Sequence, residues 1–201
     1  MLGRLKFDID ELVTEMLDSY PPDVIIHGTV LDPAIGGGQF VKEVERRKRA
    51  AGKTDKEIRK TVFGFEENVL RLDYAVNKHN LVGTYQTNFS DKDFKKMKFD
   101  AIVGNPPFKD SSNESSYTNL WSKIYKKSFQ LLDDDGYMAM VTPKTWATPK
   151  QENRESQTTE IKEIIKMKQD EDYYINIFKV RKTSSKYFDD NLTDLRKIKH
   201  V

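Results

Sequence analysis

No cysteine occurs among the 201 residues of the chain. That excludes a disulfide framework and a thiolate metal centre, and a cytoplasmic compartment is the natural expectation. Neither sign of charge dominates: 34 Lys and Arg stand against 32 Asp and Glu, for a net charge of +2. No global field marks the chain for a polyanion, so any nucleic-acid contact must rest on local patches. No apolar run reaches the roughly 20 residues of a membrane span. The opening "MLGRLKFDIDELV" interleaves charge with apolar residues, unlike a signal peptide. Histidine is scarce too; His27, His79 and His200 form no cluster and read as structural or surface residues. No internal repeat is present.

What remains is a rhythm of strands and helices. Ile9, Leu12, Val13, Met16 and Leu17 recur at helical spacing, and Pro21 and Pro22 are expected to end that helix. "VIIHGTVLD" reads as a strand ending at Asp32, "PAIGGGQF" as a glycine-rich turn and "FVKEVERRKRAAG" as a helix. "TVFGFEEN" is a second strand, "VLRLDYAVNKHN" a helix, "LVGTYQTNF" a third strand and "FDAIVGNPPF" a fourth. The polar "KDSSNESSYTN" reads as a loop, "LWSKIYKKSFQLL" as a helix, "DDDG" as a turn and "YMAMVTP" as a fifth strand. Alternation of this kind predicts an α/β fold: a doubly wound, mostly parallel, Rossmann-like sheet with helices on both faces. The strands are near-continuous apolar runs, as expected when both faces are covered. Residues 1–149 are expected to form one domain. Residues 150–201 are mostly charged, with "YYINIFKV" a further candidate strand. They read as a C-terminal extension, the end of the sheet or the start of another region.

Open parallel sheets bind ligands beyond the carboxyl ends of their strands. Asp32, Glu66, Asn88 and Asn105 all fall at such ends. The glycines after Asp32 let the backbone turn tightly and approach a ligand, although an ordinary strand-to-helix turn looks the same. The turn is not a phosphate loop, because the Lys-Ser/Thr pair of that motif is absent. A carboxylate at Glu66 suits a ribose diol, or simply a helix N-terminus, and Glu67 follows it. Asn88 and Phe89 suit an adenine edge and face, or simply a strand end. In "NPPF", Asn105 precedes a proline and is held extended, while two prolines freeze the next φ angles. The Asn105 side-chain oxygen and the Pro106 carbonyl are left as acceptors for a substrate amino group. Phe108 adds a flat apolar face.

With "DPAIGGGQF" at Asp32–Phe40 and "NPPF" at Asn105–Phe108, the chain resembles the S-adenosylmethionine-dependent DNA adenine-N6 methyltransferases of the γ motif order, as in the catalytic part of type II and IIG modification enzymes. The resemblance runs from Ile9 to Trp146. It implies that Asp32, Pro33, Ala34, Gly36 and Gly38 hold the methionine part of S-adenosyl-L-methionine and that Glu66 holds its ribose. Asn88 and Phe89 would contact its adenine. Asn105, Pro106, Pro107 and Phe108 would form the catalytic element for a flipped adenine. The chain departs from the family where Asn88 replaces a frequent Asp. Its N-terminal helix, "IDELVTEML", also lacks the Thr-Pro that in the family often contacts the cofactor carboxylate, and the family's usual long C-terminal recognition region is not evident after the fifth strand. DNA is the implied partner, with a separate specificity subunit or a further recognition domain beside it and no membrane. Lys109, Tyr117 and Lys144 are the candidate DNA contacts. The basic stretch "KEVERRKRAAGKTDKEIRK" reads as a solvated helix face. Related chemistries, guanine-N2 of RNA and glutamine side chains of proteins, also use "NPP[YF]". A non-catalytic remnant or subunit is a further alternative.

Overall fold

The computed structural model describes residues 9–87, 97–107, 120–143, 173–179 and 190–197. Helix α1 (Ile9–Asp18) and α2 (Pro22–His27) precede β1 (Val30–Asp32). Then come α3 (Gln39–Ala50), α4 (Asp55–Thr61), β2 (Val62–Phe65), α5 (Val69–His79) and β3 (Thr84–Gln86). The rest comprises β4 (Phe99–Gly104), α6 (Leu120–Leu131), β5 (Leu132–Pro143), β6 (Tyr173–Lys179) and β7 (Asp190–Lys197).

The strands form one sheet in the order β3-β2-β1-β4-β5-β7-β6. β1 to β5 run parallel, and β7 is antiparallel to both β5 and β6. The expected mostly parallel, doubly wound sheet is what forms. Side chains alternate between its faces, as the period of a strand requires. Val30, Val62, Ala101, Val103, Ala139 and Val141 join a core with α1 to α5. Leu31, Phe63, Phe65, Phe99, Ile102, Met138 and Met140 join a second core with Trp121 and Tyr125 of α6. The chain fills β1, β2 and β3 outward in one direction, then returns to place β4 on the other side of β1. That reversal opens a crevice between the carboxyl ends of β1 and β4.

Several elements differ from the sequence expectation. "VIIH" is not strand but the body of α2. Pro22 stands in its first turn, where a missing N–H costs nothing, and Asp23 beside it suits the helix dipole. The Lys48 ammonium closes the other end by donating to the carbonyls of Ile26 at 3.1 Å and Gly28 at 2.8 Å. Burial pushes that ammonium down to about 8, with the Lys53 charge acting the same way and Asp100 opposing it. "DDDG" is not a turn between elements but an irregularity inside β5: the register passes from Phe99–Leu132 to Ala101–Tyr137. α4 was not expected; a reciprocal capping box between Thr54 and Glu57 starts it. β7 also emerges from a segment with little strand signal.

A buried carboxylate fixes the outer edge of the sheet. Glu45 of α3 is fully buried and accepts from the backbone N–H of Val82 at 2.9 Å, of Gly83 at 2.8 Å and from the Tyr85 hydroxyl at 2.5 Å. Arg49 supplies the countercharge at 2.9 Å. Burial and the Glu45 charge push the Tyr85 phenol far up, so it stays a donor. Glu45→Ala leaves two half-buried N–H groups and a phenol without this acceptor. Chemical denaturation of this variant is expected to show a loss of ~3 kcal/mol. A loss below ~1 kcal/mol would contradict the assignment of Glu45 as the anchor of β3.

Candidate functional site

The loop after β1 is tied down on both sides. Asp32 ends the strand at 1% exposure, and its Oδ1 accepts the Ala34 N–H at 2.9 Å, folding the chain back over itself. The Ile35 N–H donates to the Phe65 carbonyl at 2.8 Å, seating the loop on β2. Gly36 and Gly38 take φ of +54° and +83°, a region that L side chains rarely adopt. A Cβ on Gly38 would also lie 3.1 Å from both Ala75 Cβ and His79 Cδ2. Beyond Gly38, α3 begins without a side-chain cap or an acidic residue in its first turn.

Glu66 follows β2 and is nearly buried. Its N–H donates to the Gln86 carbonyl at 3.1 Å, which hangs it from β3. Its Oε2 accepts the Gly36 N–H at 3.1 Å and its Oε1 the Asn68 N–H at 3.0 Å, with Arg71 Nη1 3.7 Å from Oε1. The carboxylate thus clasps the glycine loop to the start of α5. Each of its oxygens keeps a further lone pair for a ligand hydroxyl.

β4 brings the third component. A Cβ on Gly104 would lie 2.9 Å from Asp32 Oδ1 and 3.2 Å from Pro33 Cδ, so the last residue of β4 touches the head of the loop. Asn105 is half-buried, Pro106 buried and Pro107 exposed. Asp32, Pro33, Ala34, Gly36, Gly38 and Glu66 therefore lie together beyond β1 and β2, and Asn105, Pro106 and Pro107 follow Gly104 directly at the adjoining end of β4. Asn88, Phe89, Phe108, Lys109, Tyr117 and Lys144 lie outside the described residues.

The second Asp32 oxygen, Oδ2, is buried and has no hydrogen-bond partner among the described residues. Burial pushes this carboxyl up to about 7; the Ala34 N–H opposes the rise and the Glu66 charge adds to it. A partnerless carboxylate oxygen on the residue that heads the glycine loop, with the clasped Glu66 carboxylate near it, fits a ligand that carries a cationic centre and a vicinal diol. S-Adenosyl-L-methionine carries both.

Several supporting residues were not legible in the sequence. Gln86 offers a backbone carbonyl, which any residue type would. His79, expected to be structural or exposed, donates through Nε2 to the Gly37 carbonyl at 3.0 Å and braces the loop. Asn68 does carry a local signal, as the N-cap of α5 whose side chain accepts the Arg71 N–H at 3.0 Å.

A family profile, the Eco57I restriction-modification methylase, matches residues 38–178, more than half of the chain. The chain belongs to the Eco57I restriction-modification methylase family. Its sequence has no match among curated proteins. In structure it is similar to the M protein of the type I restriction enzyme EcoKI, at 16% identity and a TM-score of 0.68, covering 98% of this chain and 44% of that one. It is also similar to a modification subunit of a putative type I restriction enzyme from Vibrio vulnificus, at 18% identity and a TM-score of 0.55, covering 94% and 48%. A putative class I S-adenosylmethionine-dependent methyltransferase from Listeria monocytogenes shares the fold at 13% identity and a TM-score of 0.64, covering 97% and 64%. The methylase chain spans less than half the length of the type I modification proteins it matches.

The Asp32 carboxyl generates a pH prediction. Unfolded, it ionises near its ordinary value of 3.8; folded, it does so near 7. Its contribution to stability is therefore complete below about 3.8 and is lost as pH rises through 7. Asp32→Asn keeps an acceptor for Ala34 but abolishes the titration. Between about pH 4 and about pH 8 the stability of the variant relative to wild type is expected to shift in its favour by up to ~4 kcal/mol, read from denaturation curves. A pH-independent difference would contradict the buried, partnerless placement of Oδ2.

Proposed function

We propose that this chain transfers a methyl group from S-adenosyl-L-methionine to the exocyclic N6 of adenine in DNA. The observation that carries the reading is the junction of Gly104 with Asp32 and Pro33. It supports a reading in which the Asn105 amide and the Pro106 carbonyl, next along the chain, serve as acceptors beside a glycine loop that takes the cofactor. Asp32, Pro33, Ala34, Gly36 and Gly38 would hold the methionine part, Glu66 the ribose, and Asn88 with Phe89 the adenine.

When bound, the cofactor supplies an electrophilic methyl on a sulfonium. The protein's task is then geometric. The amino nitrogen of adenine is a poor nucleophile because its lone pair is conjugated into the ring. The Asn105 side-chain oxygen and the Pro106 carbonyl accept its two hydrogens and favour a pyramidal nitrogen, with the lone pair aimed at the cradle. Transfer would join the methyl to the amino nitrogen and release the cofactor as a neutral thioether, and the amino proton would depart through the Asn105 and Pro106 acceptors to solvent. Pro107 keeps the turn stiff and Phe108 stacks on the ring. Positioning and preorganised dipoles supply the rate. In a duplex the target nitrogen is out of reach, so the base is flipped out, at a cost of a few kcal/mol. DNA contacts to offset that cost come from Lys109, Tyr117 and Lys144, and from a specificity subunit or a further recognition region. Among the described residues, β7 and β6 extend the sheet beyond β5. Among the described residues no helix is long and apolar enough to cross a membrane.

The test is methyl transfer from radiolabelled S-adenosylmethionine to duplex DNA, single-stranded DNA and ribosomal RNA, followed by identification of the labelled base. N6-methyladenine in DNA is expected, with the rate reduced ~10²–10³-fold in Asn105→Ala. Label in guanine of RNA, or label in DNA that survives Asn105→Ala, would overturn the reading.

A further inference from the structure

Beneath the Asn105 turn, a side chain from a distant part of the sequence enters the seam between β4 and β5. Tyr20 stands between α1 and α2, only 4% exposed. Its hydroxyl donates to the Ile102 carbonyl at 2.6 Å and accepts the Ala139 N–H at 2.7 Å. Ile102 pairs with Met138 and Val103 with Ala139. The Ile102 carbonyl and the Ala139 N–H are therefore the groups that a parallel ladder joins without help. A sheet needs no phenol at that position, and burying a hydroxyl costs free energy unless it is satisfied. Here it is satisfied twice, on two different strands.

The phenol is held firmly. Its ring packs in the core formed with α1, α2 and α3, and its centroid lies 6.3 Å from that of Tyr137 at an interplanar angle of 55°. Pro21 and Pro22 follow at once and stiffen the corner. From Ile102 to Asn105 the chain advances only about 10 Å. The cofactor side of the crevice is fixed by β1, β2 and β3 through Asp32 and Glu66. The substrate side depends on how β4 leaves β5.

We infer that Tyr20 is a positioning residue for methyl transfer: its hydroxyl fixes the β4–β5 seam under Asn105 and so the place of the amine acceptors relative to the cofactor cradle. This rests on the proposed reaction for its catalytic consequence, but not for its structural one. Tyr20→Phe keeps the ring and removes only the hydroxyl. It is expected to lower kcat ~10-fold or more while the dissociation constant for S-adenosylmethionine, measured by calorimetry, stays within about twofold. Backbone amide exchange at Val103–Asn105 should quicken. Ile58→Val, a buried change in α4 remote from the crevice, controls for lost stability and should lower Tm without changing kcat. A Tyr20→Phe protein with unchanged kcat, with cofactor affinity lost in step with kcat, or with unaltered exchange at Val103–Asn105 would overturn the inference. A wild-type chain that transfers no methyl would count against the proposed reaction alone, since the exchange measurement still decides the seam.

Discussion

The crevice depends on one buried carboxylate at the end of the central strand. Asp32 turns the chain through its bond to Ala34, and its oxygen abuts the backbone of Gly104 so closely that a side chain there would collide with it. The same carboxyl joins what lies after β1 to what lies after β4, the two strands between which the sheet reverses direction. Leaving Oδ2 without a partner in a buried place is unfavourable for folding. A protein selected for stability alone would place an amide or an apolar residue there, and in the proposed function the carboxylate is held for the cationic cofactor.

Around this carboxylate the structure builds a chain of polar contacts that runs from the outer helices inward. Glu45 fixes the segment before β3, β3 presents the Gln86 carbonyl, that carbonyl holds the Glu66 backbone, and the Glu66 side chain holds Gly36. Each step is a hydrogen bond between groups that water would otherwise claim, and each is buried enough to count. The basic helix α3, with its arginines on Glu43 and Glu45, belongs to this support. Its charges are largely spent within the helix layer, as its amphipathic pattern suggests.

Much of this architecture is legible in the sequence, and the reasons are physical. Buried parallel strands advertise themselves as apolar runs, so β2, β4 and the body of β5 are readable. Asp32, Glu66 and Asn105 are readable because a polar residue that ends such a run, at the edge of a core, does little for packing. "VIIH" misleads because a short apolar run fits a buried helix as well as a strand; Pro22 and the Lys48 cap tip it to helix. The "DDDG" irregularity depends on the register of β5 against β4, which no local pattern encodes. The links through Glu45, His79 and Tyr20 join residues roughly 40 to 120 positions apart, and each looks like an ordinary side chain until the fold brings its partner near.

In the proposed function one crevice holds two separable sites, a cofactor cradle at Asp32 and Glu66 and an amine site at Asn105. Calorimetric titration of S-adenosylmethionine into wild type, Glu66→Ala and Asn105→Ala tests it most directly. Glu66→Ala is expected to weaken binding at least ~10-fold, the loss of about one charge-assisted hydrogen bond, while Asn105→Ala binds as wild type does. Equal loss in both variants, or tight binding that survives Glu66→Ala, would contradict it.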